Sequence, residues 1–259
     1  MMTFLFDKII FGPVSSRRLG VSLGINLLPT TYKYCSFNCI YCECGLNPTH
    51  YSEKVKFPTV QLVKEKLDDK LKEMQKNNQL PDTITFAGNG EPTLHPDFAE
   101  IIDITIELRN KYSPKSKIAV LSNSTMLHNK PVMEALKKIE LNILKLDTGF
   151  DDTLKKLNQP TTSVTIQKMV DNLKQFKNNL IIQTLFLKGL VNGEQVDNTT
   201  DAEVNKWVSY LKELKPQLVM IYPIARETPV IGLEKISQQK LDEIAQKVRA
   251  AGIETEVYY

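Results

Sequence analysis

Apolar residues recur along this chain with two different periods, and the alternation between them predicts its elements. Val63, Leu67, Leu71 and Met74 fall three and four apart, as do Phe98, Ile101, Ile102, Thr105 and Leu108, then Ile166, Met169, Val170, Leu173 and Phe176. Further on, Val204, Trp207, Val208, Leu211 and Leu214 form one stripe, and Leu241, Ile244, Val248 and Ala251 another. Such spacing gathers apolar side chains on one helix face and leaves Lys and Glu on the other. Asn129 ahead of Pro131 marks the start of a shorter helix. Between the stripes lie short runs rich in β-branched residues: TITFAG (83–88), KIAVLS (117–122), NILKLD (142–147), LIIQTLFL (180–187) and LVMIYPI (218–224), with GVSLGINLL (20–28) ahead of them. Their near-continuous apolar character suits parallel strands covered on both faces. Six such strand–helix units predict an α/β fold. A partial (β/α)6 barrel and a doubly wound sheet share this alternation, so periodicity alone does not choose between them. In both, chemistry gathers at the C-terminal ends of the strands.

Composition sets the scale. The chain has 259 residues, 42% apolar and 24% charged, which is enough to bury a full core. No internal repeat, low-complexity tract or Gly/Ser linker interrupts it. One domain over 1–259 is expected, with an N-terminal extension (1–19), a core (20–252) and a C-terminal segment (253–259) whose IETEVYY predicts a last edge strand. The N-terminal stretch MMTFLFDKIIFGP has an acidic residue within its apolar patch and no small-residue cleavage site. No apolar run approaches the roughly 18 residues needed to cross a bilayer, so neither a membrane span nor a secretion signal is expected. Lys and Arg (33) barely exceed Asp and Glu (30), a balance that leaves the partner open.

The cysteines change the picture. All four, Cys35, Cys39, Cys42 and Cys44, lie within ten residues, so they cannot staple the rest of the chain. Clustered thiols without a secretion signal point to a metal and to a reducing cytoplasm. Two readings stand. Three thiolates spaced four and three apart suit a cubic iron–sulfur cluster, whose fourth iron then stays open. Alternatively all four hold one zinc ion in a non-catalytic module, although four ligands within ten residues leave a cramped loop.

Cys35-x3-Cys39-x2-Cys42, with the aromatic Tyr41 before its last cysteine, resembles the signature of the radical S-adenosylmethionine superfamily. The resemblance implies a partial (β/α)6 barrel with the cysteine loop after its first strand. It also implies a 4Fe-4S cluster on Cys35, Cys39 and Cys42, with S-adenosylmethionine on the open iron. Reductive cleavage of that cofactor then yields a 5′-deoxyadenosyl radical that abstracts hydrogen from a substrate, with a reductant such as flavodoxin or ferredoxin supplying the electron. Gly88-Asn89-Gly90-Glu91 resembles the family's Gly-Gly-Glu element, which receives the methionine amino group; Asn89 departs from it. By the same resemblance Tyr41, Ser122, Asn123, Lys145, Asp147 and Gln183 are expected around the cofactor. Lys145 and Asp147 alternate on one strand and so share a side; if that side is the interior, two charges call for a charged ligand, and the alternative for these two and Gln183 is a polar residue at the edge of the core bonded to backbone. The segment from Phe11 to Asn26, with KLDTGF (145–150), LNQP (157–160) and QTLFLKG (183–189), is similar to an Fe-S oxidoreductase branch related to the enzymes that build wybutosine-type bases on tRNA. That branch implies modification of a nucleoside in RNA. A glycyl-radical-enzyme activase and a peptide or small-metabolite modifier are the rivals within the same chemistry.

For the substrate, Arg17 and Arg18 form either an anion clamp or an ordinary surface pair, and Arg226 after the sixth strand has the same standing. Cys44 is a hydrogen donor, a cluster contact or an inert buried thiol. His50, His95 and His128 show no metal-ligand spacing, and His95 is expected to be structural or exposed.

Overall fold

The computed structural model describes residues 4–51, 54–176 and 179–259, so the first three residues of the expected N-terminal extension lie outside it. In chain order its elements are β1 (Ile10–Ser16), β2 (Gly20–Ile25), α1 (Val60–Lys76), β3 (Thr83–Phe86), α2 (Phe98–Tyr112), β4 (Lys117–Ser122), α3 (Lys130–Lys137), β5 (Leu141–Lys145) and α4 (Asp151–Leu157). Then come α5 (Ile166–Leu173), β6 (Leu180–Val191), β7 (Glu194–Asp197), α6 (Asp201–Leu214), β8 (Leu218–Pro223), β9 (Leu233–Lys235), α7 (Gln238–Ala250) and β10 (Thr255–Val257). The helix starts have chemical causes. Side-chain oxygens of Thr59, Asn129, Thr165, Thr200 and Ser237 each accept an otherwise orphaned N–H of the first turn.

Strand order settles the architecture. β2, β3, β4, β5, β6 and β8 are parallel neighbours in the order in which the chain makes them. A doubly wound sheet reverses direction at a switch point, whereas this one winds one way like a barrel wall. The wall stays open, with β1 antiparallel to β2 at one edge and β10 parallel to β8 at the other. The predicted stripes lie against it: Val63, Leu67, Leu71 and Met74 of α1 are buried, as are Val204, Trp207, Val208, Leu211 and Leu214 of α6. No helix among the described residues is long and apolar enough to cross a membrane.

Registered partners on parallel strands share a face, so the pairing defines the inner one. Leu121, Lys145, Gln183 and Tyr222 form its upper layer beside a cavity, above a lower apolar cluster of Ala119, Ile143, Ile181 and Met220. The bottom of the open seam is drawn together by two chain segments. Leu19, in the β1–β2 turn, and Tyr258 both pack on the lower cluster, while Arg17 Nη1 donates to the Tyr259 carbonyl.

Four elements escape the periodicity. β1 is mostly exposed and contains Gly12 and Pro13, so an edge strand here has no alternation to show. β7 and β9 are short strands laid antiparallel on the extension of β6. α4 buries only Leu154 and Leu157, too few for a stripe.

Candidate active site

The cysteine loop follows β2 and is fixed from both sides by backbone hydrogen bonds. On one side Tyr34 N donates to Asn89 O (2.8 Å) and Glu91 N to Tyr34 O (3.1 Å). On the other, Asn38 N donates to Asn158 O (2.9 Å) and Ile40 N to Leu157 O (3.0 Å). The LNQP segment after α4 therefore serves as the second wall of the loop. Close backbone approach explains Gly90: a Cβ there would stand 1.9 Å from the Tyr34 carbonyl oxygen, and φ is +137°.

Cys35, Cys39, Cys42 and Cys44 all line one cavity of about 290 Å³, together with Gly88, Gly90, Glu91, Ser122, Asn123, Lys145, Gln183 and Arg18. The sulfurs are oriented by neighbours. Cys35 Sγ accepts from Phe37 N (3.4 Å) and Asn123 Nδ2 (3.5 Å), and Cys39 Sγ accepts from Asn158 Nδ2 (3.3 Å). Burial pushes the Cys35 and Cys39 thiols up. Cys42 is lowered to about 6, first by the adjoining Cys44 side chain and then, against the opposing effect of burial, by Lys33, while the adjoining Cys42 raises Cys44. Lys33, only 2% exposed, donates to Gly45 O (3.1 Å). Burial acts to lower its pKa, but the negative charge of Cys42, Cys35 and Cys39 outweighs burial and raises it.

Glu91 is buried and joins the β3 and β4 ends. Its Oε1 accepts from Thr93 N (3.1 Å), Thr93 Oγ1 (2.5 Å) and Ser122 Oγ (2.9 Å); Oε2 accepts from Asn123 N (2.6 Å). Burial raises its pKa against the pull of these donors. With three donors on Oε1, Oε2 is the oxygen with room for a further partner.

The structure sharpens three expectations. Asn89 sits at the expected place, but its side chain turns away from the cavity: Oδ1 accepts from Phe6 N (2.8 Å), and Nδ2 donates to Phe6 O (2.9 Å) and Pro29 O (2.8 Å). It ties down the N-terminal segment, a task no glycine performs. Lys145 and Asp147 do share a side, but they neutralise one another (3.4 Å) instead of demanding a charged ligand. Tyr41 joins them, its hydroxyl donating to Asp147 Oδ2 and accepting from Lys145 Nζ (3.0 Å). The arginines do not act as a set. Arg17 is exposed and bound to the Tyr259 carbonyl, and Arg226 forms a surface ion pair with Glu43 (2.7 Å); Arg18 alone reaches the cavity. Cys44 is anchored, its thiol donating to Gly88 O (3.4 Å). His95 is buried and structural, bonded to Pro58 O (2.9 Å) and Asp97 N (3.1 Å).

Sequence reasoning missed Lys33, Asn158 and Tyr222. Asn158 Nδ2 donates to Asp147 Oδ2 (2.8 Å), Tyr41 Oη (3.2 Å) and Cys39 Sγ, so one buried amide links loop, strand and thiol. The signal for Lys33 was its place two residues before Cys35.

The thiols share a cavity, yet among the described residues no three His, Cys, Asp or Glu side chains converge on one metal ion. The Radical SAM superfamily model matches residues 30–202, spanning this loop and the strands facing it. The chain belongs to the radical S-adenosylmethionine superfamily. The chain is also similar to other proteins. It is 30% identical over 257 residues to a protein of Brachyspira hyodysenteriae named GTPase Obg, covering 98% of this chain and 35% of that one. This radical SAM chain thus spans about a third of that relative. A radical SAM methyltransferase from Sphaerobacter thermophilus superposes with a TM-score of 0.67 at 16% identity, over 92% of this chain and 66% of that one. Archaeal TYW1 superposes with a TM-score of 0.53 at 16% identity, over 89% and 72%.

Proposed function

We propose that this radical SAM protein binds one 4Fe-4S cluster through Cys35, Cys39 and Cys42 and S-adenosylmethionine beside it, and abstracts hydrogen from a substrate held in the same cavity. The observation that carries this reading is the facing of three separated thiols and the Gly88–Glu91 wall across one cavity. When bound and reduced by a donor such as flavodoxin or ferredoxin, the cluster supplies the electron that splits the sulfonium into methionine and a 5′-deoxyadenosyl radical.

The chain's own residues prepare that chemistry. Lys33 offsets the negative charge of the thiolates, and Asn123 and Asn158 fix where two of the sulfurs point. Gly88 and Gly90 bring bare backbone to the wall, and Glu91 Oε2 offers an acceptor to the methionine amino group. Ser122 holds Glu91 in place, while Gln183 faces the cavity as a neutral hydrogen-bonding partner. Tyr41 is locked by Lys145, Asp147 and Asn158, which sets the pitch of the loop between Cys39 and Cys42. For the substrate, the similarity of the Phe11–Asn26 segment supports a nucleoside in RNA.

Anaerobic reconstitution tests the reading. About four irons per chain are expected, with 5′-deoxyadenosine released on reduction. Both should be lost in C35A, C39A and C42A. Colourless protein with one tightly held zinc would overturn it. Comparing RNA nucleosides between a deletion strain and its parent tests the substrate, and identical profiles would remove RNA from it.

A further inference from the structure

Among the described residues, one charged group lining the cavity has neither a hydrogen-bond acceptor nor an ion-pair partner. The chain has five arginines, and four donate to an oxygen: Arg17 to Tyr259, Arg109 to Ser116 and Glu140, Arg226 to Glu43, and Arg249 to Thr255. The Arg18 guanidinium does not. Its Nη1 is fully buried without a hydrogen-bond acceptor among the described residues, and its Cζ lies 5.2 Å from the centre of the Tyr222 ring. Arg18 leaves the β1–β2 turn at the bottom of the open seam and reaches Tyr222 on β8, on the far wall from the Gly88–Glu91 segment. Arg18 as a whole is half-buried, but a guanidinium nitrogen shut off from water is retained at a cost unless an acceptor meets it. Its stack on Tyr222 satisfies the ring face and leaves the in-plane N–H donors free.

We propose that Arg18 receives a carboxylate of the substrate at the floor of the cavity. Charge count favours a carboxylate over a phosphate. Of the other two cations in the lining, Lys145 is neutralised by Asp147 and Lys33 faces the cysteine sulfurs, so Arg18 is the one left to meet a single negative charge. The planar fork of a guanidinium matches a carboxylate with two parallel N–H···O bonds, and Gln183 stands in the same lining as a neutral donor. The proposal rests on the radical SAM reading, because the cavity is where substrate meets the radical, and it departs from the RNA nucleoside suggested above, which brings phosphate and no carboxylate; its chemistry is measurable without any radical.

The test is thermal unfolding of the full-length reconstituted protein, without reductant, in benzoate, acetate or inorganic phosphate at matched ionic strength. Wild type is expected to gain a saturable rise in midpoint with benzoate and a smaller one with phosphate. R18M is expected to bind benzoate at least tenfold more weakly and, without ligand, to melt above wild type, since an uncompensated charge has gone. R18K, which keeps the charge and loses the fork, should fall between. Absence of a benzoate shift in wild type, or its survival in R18M, overturns the proposal. So does a larger shift with phosphate. Loss of the benzoate shift on adding S-adenosylmethionine would assign Arg18 to the cofactor's own carboxylate and overturn it as well. Failure of wild type to release 5′-deoxyadenosine under reduction would instead sink the proposed function and leave the benzoate result standing.

Discussion

Glu91→Gln isolates what the buried carboxylate does for the fold. In the native protein four donors meet its two oxygens, two of them backbone N–H groups on different segments, Thr93 and Asn123. Glutamine keeps the shape but replaces one oxygen with an NH2 group. If the amide oxygen takes the Oε1 place, the NH2 faces the Asn123 N–H, which lies 2.6 Å from the native Oε2. If the amide flips, the NH2 faces the Thr93 N–H instead. Either orientation sets donor against donor, while the hydroxyls of Thr93 and Ser122 can rotate to adapt. One charge-assisted bond is lost, about 1.5–3 kcal/mol, and one buried N–H is orphaned, about 1–3 kcal/mol. Relief from burying a charge, which is what raises the Glu91 pKa, offsets part of this. A net loss of about 2–4 kcal/mol is expected, or about 5–15 °C in midpoint for a domain of this size. Urea unfolding of the full-length variant, with its slope compared to wild type, measures it. A variant within about 0.5 kcal/mol of wild type would refute the claim that this carboxylate joins the β3 and β4 ends.

Gly90→Ala should cost about 2–6 kcal/mol, the sum of a left-handed backbone strained by a Cβ and a clash with the Tyr34 carbonyl; wild-type stability by urea unfolding would contradict that. Asn158→Leu should cost about 1.5–3 kcal/mol, because Asp147 loses a buried donor, and native hydrogen exchange should show the Phe37–Ile40 backbone opening more readily; unchanged exchange there would refute its linking role. The buried His95 ring accepts from Asp97 N through Nδ1, which assigns the proton to Nε2, facing Pro58 O, and burial lowers its pKa below 6.5. The folded state thus binds a proton less readily than the unfolded state, so this contribution is fully present above about pH 6.5 and is lost as pH falls toward the folded value. H95Q should flatten the stability–pH curve over that window, and an unaltered curve would contradict the assignment.

Much of the barrel could be read from the chain because its causes are local. The stripe of α1 and the β-branched run of β6 each state their own period, and a buried face needs little more. The three cysteines proposed as ligands could be picked out for the same reason, since a loop of eight residues carries its spacing within itself. Edge strand β1 was not legible, because nothing packs on most of its residues and its partner β2 decides its conformation.

What the sequence determined by itself is the set of chemical groups and the elements that carry them: three thiols on one loop, a carboxylate after one strand, and guanidiniums at either end of the wall. Tertiary structure decided how those charges are paired. Lys145 and Asp147 looked like a demand for a ligand and proved to satisfy one another, while two adjacent arginines parted, Arg17 to the C-terminal tail and Arg18 to the lumen. How those charges are met depends on distances to groups far along the chain, such as Tyr41 beside Lys145 and Asp147 or Tyr259 beside Arg17, and on how much water remains between them. Neither quantity is written in local spacing; both arise only once the wall has curved and set its two edges facing each other.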